Sequence, residues 1–256
     1  MLAPASQSPP RPEGDPVDAV IYAVSHDLRG PLLNFQGFLR RLRRGLDLYV
    51  GQTAQWSLNP DQARASQQLR EEKIDSSLGI LEQNAKRMEQ LIDALLNLSR
   101  AGREPLDFQQ VPLNDLLQQL SEEFAPRLAA ARASIEIGPL PVLWSDRARL
   151  EEIFRQLLDN AVKFLSPQRP GRIRVDGLSE GAQAVCRVED NGIGIQAQDL
   201  ERLFLPFGRA REIEAPGCGV GLAIVRKLAG QLGGRAWVTS AHKEGTAVHL
   251  SLPSTP

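Results

Sequence analysis

Two stretches of this 256-residue chain carry apolar residues at alternating steps of three and four, and that spacing restricts what its first hundred residues can become. Ile21, Val24, Leu28, Pro31, Phe35, Phe38 and Leu42 form one stripe; Ile74, Leu78, Leu81, Ala85, Met88, Ile92 and Leu95 form the other. Such a repeat sets every member on one side of an α-helix and calls for another helix against it. The spacing predicts a helix from Val17, with Asp15-Pro16 as its start signal, and a second from about Asp61 to Arg100. Pro31 removes a backbone donor and should bend the first. Residues 45 to 61, with Gly45, Gly51, Asn59 and Pro60, read as a long connection whose Tyr49, Val50 and Trp56 need cover. A hairpin with one broad apolar stripe on each arm does not satisfy itself, so a homodimeric four-helix bundle is expected.

The flanking texture sets the other boundaries. Residues 1 to 16, rich in proline and small polar residues, read as a flexible tail. The helical hairpin spans 17–101, and Ala101-Gly102-Arg103-Glu104-Pro105 stops it and opens a hinge over 102–107. Beyond it, 108–256 mixes the two periodicities. Short strands are expected near Phe108 to Val111, Ser134 to Ile137, Val142 to Trp144, Arg172 to Val175 and Ala184 to Val188. A closing strand pair follows at Arg235 to Thr239 and Thr246 to Leu252. Helices are expected over Leu113 to Ala131, from an Asp146 cap to Phe164, in a short turn over Leu200 to Phe207, and over Gly221 to Leu232. That segregation describes an α+β two-layer sandwich, a sheet covered by helices on one face.

Composition removes several function classes. Lys plus Arg number 30 against 31 Asp plus Glu, so no global field attracts nucleic acid, and the local run Arg40, Arg41, Arg43 and Arg44 fits a solvated helix face. Cys186 and Cys218 have no metal-ligand spacing and suit a reducing compartment, which predicts a cytoplasmic protein. No apolar run reaches the roughly 20 residues that span a bilayer, and no membrane segment is expected.

The chemistry is concentrated in two glycine blocks. Glu189-Asp190-Asn191-Gly192-Ile193-Gly194-Ile195 follows an apolar run, and Gly217-Cys218-Gly219-Val220-Gly221-Leu222 leads into a helix. A carboxylate at a strand end can accept a hydrogen bond from an exocyclic amine, and glycines beside it let backbone approach a flat base. Glycines before a helix leave free N–H groups that attract phosphate. Upstream, Asn160 and Lys163 share one helix face, an amide oxygen suited to Mg²⁺ and a point charge suited to phosphate. Gln156 stands one turn before Asn160 and cannot abstract a proton, unlike the carboxylate that an enzyme hydrolysing ATP would want there. In the first helix His26, followed by Asp27, falls opposite the apolar stripe and is expected to face solvent, where a neutral imidazole could act as nucleophile towards a γ-phosphoryl group.

In that order these residues resemble the catalytic core of the bacterial sensor histidine kinases, and the resemblance runs from about Val17 to Pro253. His26 with Asp27, Arg29 and Pro31 is similar to the phosphoacceptor box, and Gln156 to Phe164 to the asparagine box. The resemblance implies that Asn160 chelates Mg²⁺, that Lys163 meets phosphate, and that Asp190, Gly192 and Gly194, continuing into Ile195, hold the adenine. Leu203 to Arg209 resembles the phenylalanine box, bringing Phe207 and Arg209 to the nucleotide. Gly217, Gly219 and Gly221, with Val220 and Leu222, resemble the second glycine box, and a mobile lid is implied between the two. Gly245-Thr246 is similar to the last glycine block, with Thr246 near the adenine-binding aspartate.

The expected protein is therefore an ATP- and Mg²⁺-dependent protein-histidine kinase that phosphorylates His26 and passes the phosphoryl group to the receiver domain of a response regulator. Its input would come from a separate sensor protein, from the hairpin tip or from a longer chain. Two departures from the family pattern matter: Gln156 replaces an asparagine, and Gly30 replaces the threonine or asparagine that orients a water for dephosphorylation, so phosphatase activity should be weak. The alternatives are a non-catalytic nucleotide-binding scaffold and an ATPase of the gyrase and chaperone kind, the second disfavoured by Gln156 and by the histidine hairpin.

Overall fold

The computed structural model describes residues 16–53, 59–208 and 218–255. Residues 1–15 of the expected 1–16 tail, Trp56 at the hairpin tip, Arg209 and Gly217 lie outside the described residues, as does the side chain of His26, while Pro16 already belongs to the first helix. The chain divides into two compact units between Ser99 and Arg100.

The first unit is helical. Helix α1 (Pro16–Thr53) is followed by α2 (Pro60–Gln68), a π-helical stretch over Leu69–Asp75, and α3 (Ser76–Arg100). The expected second helix is thus helical throughout, with π winding inside it. Helix α1 also runs nine residues into the expected connection, through Gly45 and Gly51 to Thr53. Each glycine costs a helix only about 1 kcal/mol against alanine, too little to stop so long a run. Helix α2 starts where Asn59 accepts from the N–H of Gln62 at 2.8 Å and the Gln62 side chain accepts from the N–H of Asn59, a reciprocal cap. The helical backbone continues across Pro31.

Within one chain the stripe that α1 buries differs from the expected one. Leu32 and Leu39, with Leu46 beside them, pack against Ile74, Leu78, Ala85, Ile92 and Leu96. Leu39 is 5% exposed whereas its neighbour Phe38 is 63% exposed, and Leu28, Phe35 and Leu42 also face outward. Helix α1 carries two adjacent apolar stripes, wide enough for two neighbours, and the narrower one with heptad spacing meets its own partner arm. Polar rungs flank that seam: Arg29 donates to Asp93 at 2.5 Å, Gln36 to Glu89 at 3.0 Å, and Arg43 in a fork to Glu82 at 2.7 and 3.1 Å. Their numbering descends on one arm as it rises on the other, as antiparallel arms require.

The second unit is the expected α+β sandwich. Strands β1 (Phe108–Pro112) and β3 (Val142–Asp146) make a small antiparallel pair. The main sheet has the order β2 (Ala133–Ile137), β4 (Gly171–Glu180), β5 (Gln183–Asp190), β7 (Gly245–Pro253) and β6 (Arg235–Ala241). Only β2 and β4 run parallel. On one face Ile173, Val175, Ala184, Cys186, Val188, Val248, Leu250 and Leu252 are buried. Helices α4 (Leu113–Ala130), α5 (Arg147–Lys163) and α6 (Gly221–Gln231) supply the complementary layer of leucines, with Ile153 and Phe154. The opposite face keeps charge, with Arg187 forked on Asp176 at 3.2 and 2.9 Å. Alternation with period two decides which residues see which side.

The expected hinge is held within this second unit at several points. Asp146 caps α5 by accepting from the N–H of Arg149 at 2.9 Å, and it also accepts from the N–H of Asp107 at 3.0 Å and from the Arg149 guanidinium at 2.5 Å. Arg149 in turn donates to the carbonyls of Gly102, at 3.0 Å, and Glu104. Both charges are nearly sealed, at 3% and 6% exposure. Burial works to raise the Asp146 carboxyl, but the N–H groups and the guanidinium outweigh it and hold the group below its ordinary 3.8. Its contribution to stability is therefore complete at neutral pH and is lost as pH falls below 3.8. Asp146→Ala strands a buried guanidinium and should cost about 3–5 kcal/mol, read as a lowered urea midpoint by circular dichroism. A loss under about 1 kcal/mol would show that solvent reaches Arg149.

Candidate functional site

A cavity of about 220 Å³ lies in the second unit between the α5 and α6 side and the ends of β5 and β7. Asn160, Lys163, Asp190, Gly194, Ile195, Gly219, Val220, Gly221, Leu222 and Thr246 all border it. Gly192 stands behind the wall, donating its N–H to Asp190 Oδ1 at 2.8 Å. Phe207 does not border the cavity and is 40% exposed; Leu203 and Gly208 border it instead. The backbone explains this, because Phe207 sits at φ 62°, in a left-handed turn closed by Gly208 donating to the Leu205 carbonyl at 2.8 Å.

One end of the cavity suits a flat heterocycle. Asp190 ends β5 opposite Thr246 of β7, and the backbone N–H groups of Gly192 and Thr246 both point at its carboxylate. Burial pushes the Asp190 carboxyl up to about 6, against those bonds and against the charge of Arg169, with Glu189 adding to the rise. A desolvated carboxylate that still has acceptor capacity is suited to a ligand N–H. The chain turns sharply after it. A Cβ on Gly192 would lie 2.1 Å from the Phe164 carbonyl oxygen, and one on Gly194, at φ 66°, would lie 2.0 Å from that of Ala241. No other residue fits either position. The N–H of Ile195 donates to Ser240 Oγ at 2.9 Å, and that hydroxyl donates to the Gly245 carbonyl at 2.6 Å and lies 3.0 Å from Thr246 Oγ1.

The other end suits anions. Helix α6 opens at Gly221 with no side-chain cap on its first N–H groups. On α5, Leu150, Ile153, Phe154, Leu157, Leu158 and Ala161 are buried, which leaves Gln156, Asn160 and Lys163 along the edge that borders the cavity. The Lys163 ammonium lies 4.8 Å from the centre of the Phe164 ring. Gln156 donates to Glu152 at 2.8 Å, which turns its amide oxygen towards Gly221, where a Cβ would stand only 2.7 Å away. Asn160 lies next to the same point, 3.4 Å from it through Nδ2.

Comparison with known proteins agrees with this arrangement. Residues 145–256 match the family described as histidine kinase-, DNA gyrase B-, and HSP90-like ATPase, and residues 18–104 match the His Kinase A (phospho-acceptor) domain. The chain has the catalytic core of a sensor histidine kinase. Among relatives, the methanogenesis regulatory histidine kinase FilI of Methanothrix harundinacea is 33% identical over 93% of this chain and 25% of its own. The adaptive-response sensory kinase SasA of Synechococcus sp. (strain JA-2-3B'a(2-13)) is 30% identical over 92% of this chain and 59% of its own. The fold of full-length ShkA, solved with AMPPNP, superposes with a TM-score of 0.60 at 24% identity, covering 92% of this chain and 46% of that one. The chain therefore spans about a quarter of FilI and less than two thirds of SasA. No helix among the described residues is long and apolar enough to cross a membrane.

The cavity of the ATPase domain suits a nucleotide. Among the described residues there is no group of three or more His, Cys, Asp or Glu side chains able to hold a metal. Amide oxygens beside a phosphate site suit Mg²⁺, which usually keeps water and takes its remaining ligands from phosphates. Sequence reasoning missed Arg169 and Ser240, because each works across a loop or a neighbouring strand that no local motif marks, and it missed the bond between Gln156 and Glu152, one turn apart on α5. Adenosine carries no titrating phosphate, so its binding should follow Asp190 alone. Between pH 7 and pH 5 the affinity should fall roughly tenfold as the carboxylate is protonated. Calorimetry showing a flat profile would mean that Asp190 does not receive the base.

Proposed function

We propose that the chain is the ATP-dependent kinase module of a two-component signalling protein, which phosphorylates His26 and serves a response regulator. The observation that carries the reading is the meeting, in one cavity, of a buried carboxylate at one end with Asn160, Lys163 and the open start of α6 at the other. A purine nucleoside triphosphate has the matching polarity: an exocyclic amine for Asp190 and a polyphosphate for the far end.

In this reading Asp190 accepts the adenine amine, with Gly192 and Gly194 giving the base room. Lys163 and the α6 N–H groups take phosphate charge, and Asn160 with Gln156 offers oxygens to Mg²⁺. When bound, that ion would neutralise charge building on the phosphate oxygens. His26, on α1, supplies the nucleophile: its ring nitrogen bonds to the γ-phosphorus as the bond to the bridging oxygen breaks, and ADP leaves. Asp27 is the carboxylate that takes the ring proton. The segment before Gly102 is where the ATP-binding unit would turn to deliver the phosphate, since Gly102 and Glu104 are bonded to Arg149. Gly30 has no side chain to order a water and its surroundings are open, which agrees with weak phosphatase activity. A hydrolysing ATPase is less well served, because Gln156 stands where its base would act and donates to Glu152.

A second copy of the chain is the natural cover for Leu28, Phe35, Phe38, Leu42, Leu81 and Met88, which one hairpin leaves exposed. Phe38→Glu should shift the protein from dimer to monomer in sedimentation, whereas a dimer unaffected by it would place the contact elsewhere. For the chemistry, His26→Gln incubated with γ-labelled ATP should carry no acid-labile label and should bind ATP within about twofold of the parent. Label retained on that variant would remove His26 from the reaction.

A further inference from the structure

We infer that Arg169 is a positioning residue for the base-binding end of the cavity, a staple that clamps the first glycine block to the β6–β7 turn. It stands in the loop between α5 and β4, and its guanidinium reaches across two chain segments far apart in sequence. Nε donates to the Asn191 carbonyl at 2.8 Å and Nη2 to that of Gly192 at 2.9 Å. The same Nη2 donates to the carbonyls of Lys243, at 2.8 Å, and Glu244, at 3.2 Å. None of those four residues borders the cavity, yet Asp190, Ile193, Gly194 and Thr246, which flank them, all do. Arg169 therefore works one layer behind the wall and touches no ligand.

Other hydrogen bonds brace the two segments that the guanidinium joins. Lys243 sits at φ 67°, a left-handed conformation that a lysine seldom adopts unless its neighbours hold it there. Its N–H donates to the Ile193 carbonyl at 2.7 Å and its own carbonyl accepts from Arg169. Asn191 ties the other side, its amide oxygen accepting from the N–H of Arg172 at 2.7 Å and its amide nitrogen donating to the Pro170 carbonyl at 3.0 Å. A planar fork with five donors can span four carbonyls on two segments; a lysine ammonium, with three donors around one point, cannot. The guanidinium also places positive charge near Asp190, opposing the effects of burial and of Glu189.

This inference rests on the cavity being a nucleotide site, and the test separates the two. The full chain is compared with Arg169→Gln and Arg169→Lys, measuring adenosine, ATP and inorganic tripolyphosphate by calorimetry, with amide hydrogen exchange on each protein. Arg169→Gln should weaken adenosine and ATP roughly fivefold, leave tripolyphosphate within about twofold, and speed exchange at residues 192–195 and 243–246. It should also raise the pH midpoint of adenosine binding, since the backbone N–H groups of Gly192 and Thr246 and the charge of Glu189 remain but the guanidinium is gone. Arg169→Lys should restore the midpoint without restoring affinity. Unchanged exchange, or an equal loss for adenosine and tripolyphosphate, would overturn the staple. Should Arg169→Gln not fold, full affinity in the lysine variant would overturn it equally. A parent chain that binds none of the three ligands would refute the nucleotide reading, and the exchange result would still decide the role of Arg169.

Discussion

The structure of the second unit turns on one costly group, the carboxylate of Asp190. Ionised carboxylates are rarely buried without a cationic partner, because losing water disfavours the charged form. Here two backbone N–H groups supply part of what water gave, and the carboxyl remains raised to about 6. The glycines at 192 and 194 permit the tight turn that aims the first of those groups, β7 presents the second, and Ser240 and Arg169 are hydrogen-bonded to the turn. A partly satisfied acceptor facing a cavity is a poor contribution to stability and a good one to recognition. Above pH 6 the empty domain carries that penalty, and a ligand donor would relieve it.

The first unit poses a complementary problem, apolar surface rather than charge. Helix α1 buries Leu32 and Leu39, with Leu46 half-buried beside them, against the other arm and leaves a second stripe with Phe35 and Phe38 outward. An amphipathic helix with one apolar face belongs to a hairpin; a helix with two belongs to a larger bundle. The charged rungs from Arg29 to Asp93 and from Arg43 to Glu82 flank the inner seam and hold the arms in register. Exposed pairs of this kind are screened by water and add little, so they specify alignment more than they stabilise.

Much of this was legible in the residues. Most strand and helix positions after residue 107 followed from period-two and period-3.6 patterns bounded by turn residues, and Asp146 announced itself as a cap, whereas the short helix expected over Leu200 to Phe207 lies earlier, at Ala197–Arg202. Some of the residues bordering the cavity stood out in the sequence, because glycine blocks and the Asn160–Lys163 pair mark a local geometry. Phe207 does not border the cavity, and nothing in the sequence shows that its backbone adopts a left-handed turn. The run through Gly45 and Gly51 was read as a connection because glycine signals turns on average, while the length of the helix and its contacts decided otherwise. The inner stripe of α1 was off by one residue for a related reason: two apolar stripes lie side by side, and which one meets α3 depends on a partner arm about fifty residues away. Arg149 and Arg169 escaped notice because each joins segments distant in sequence, and arginines in isolation look alike.

The central claim is that Asp190 waits for an amine on the six-membered ring of a purine. Comparing ATP with inosine triphosphate, which has a carbonyl in place of that amine and an N–H at the adjacent ring nitrogen, reverses the hydrogen-bonding pattern at this one edge of the ligand. Calorimetry at pH 7.5 should show ATP binding at least about a hundredfold more tightly, since the oxygen of inosine would leave a buried carboxylate facing an acceptor. Equal affinities for the two nucleotides would contradict the account at its root.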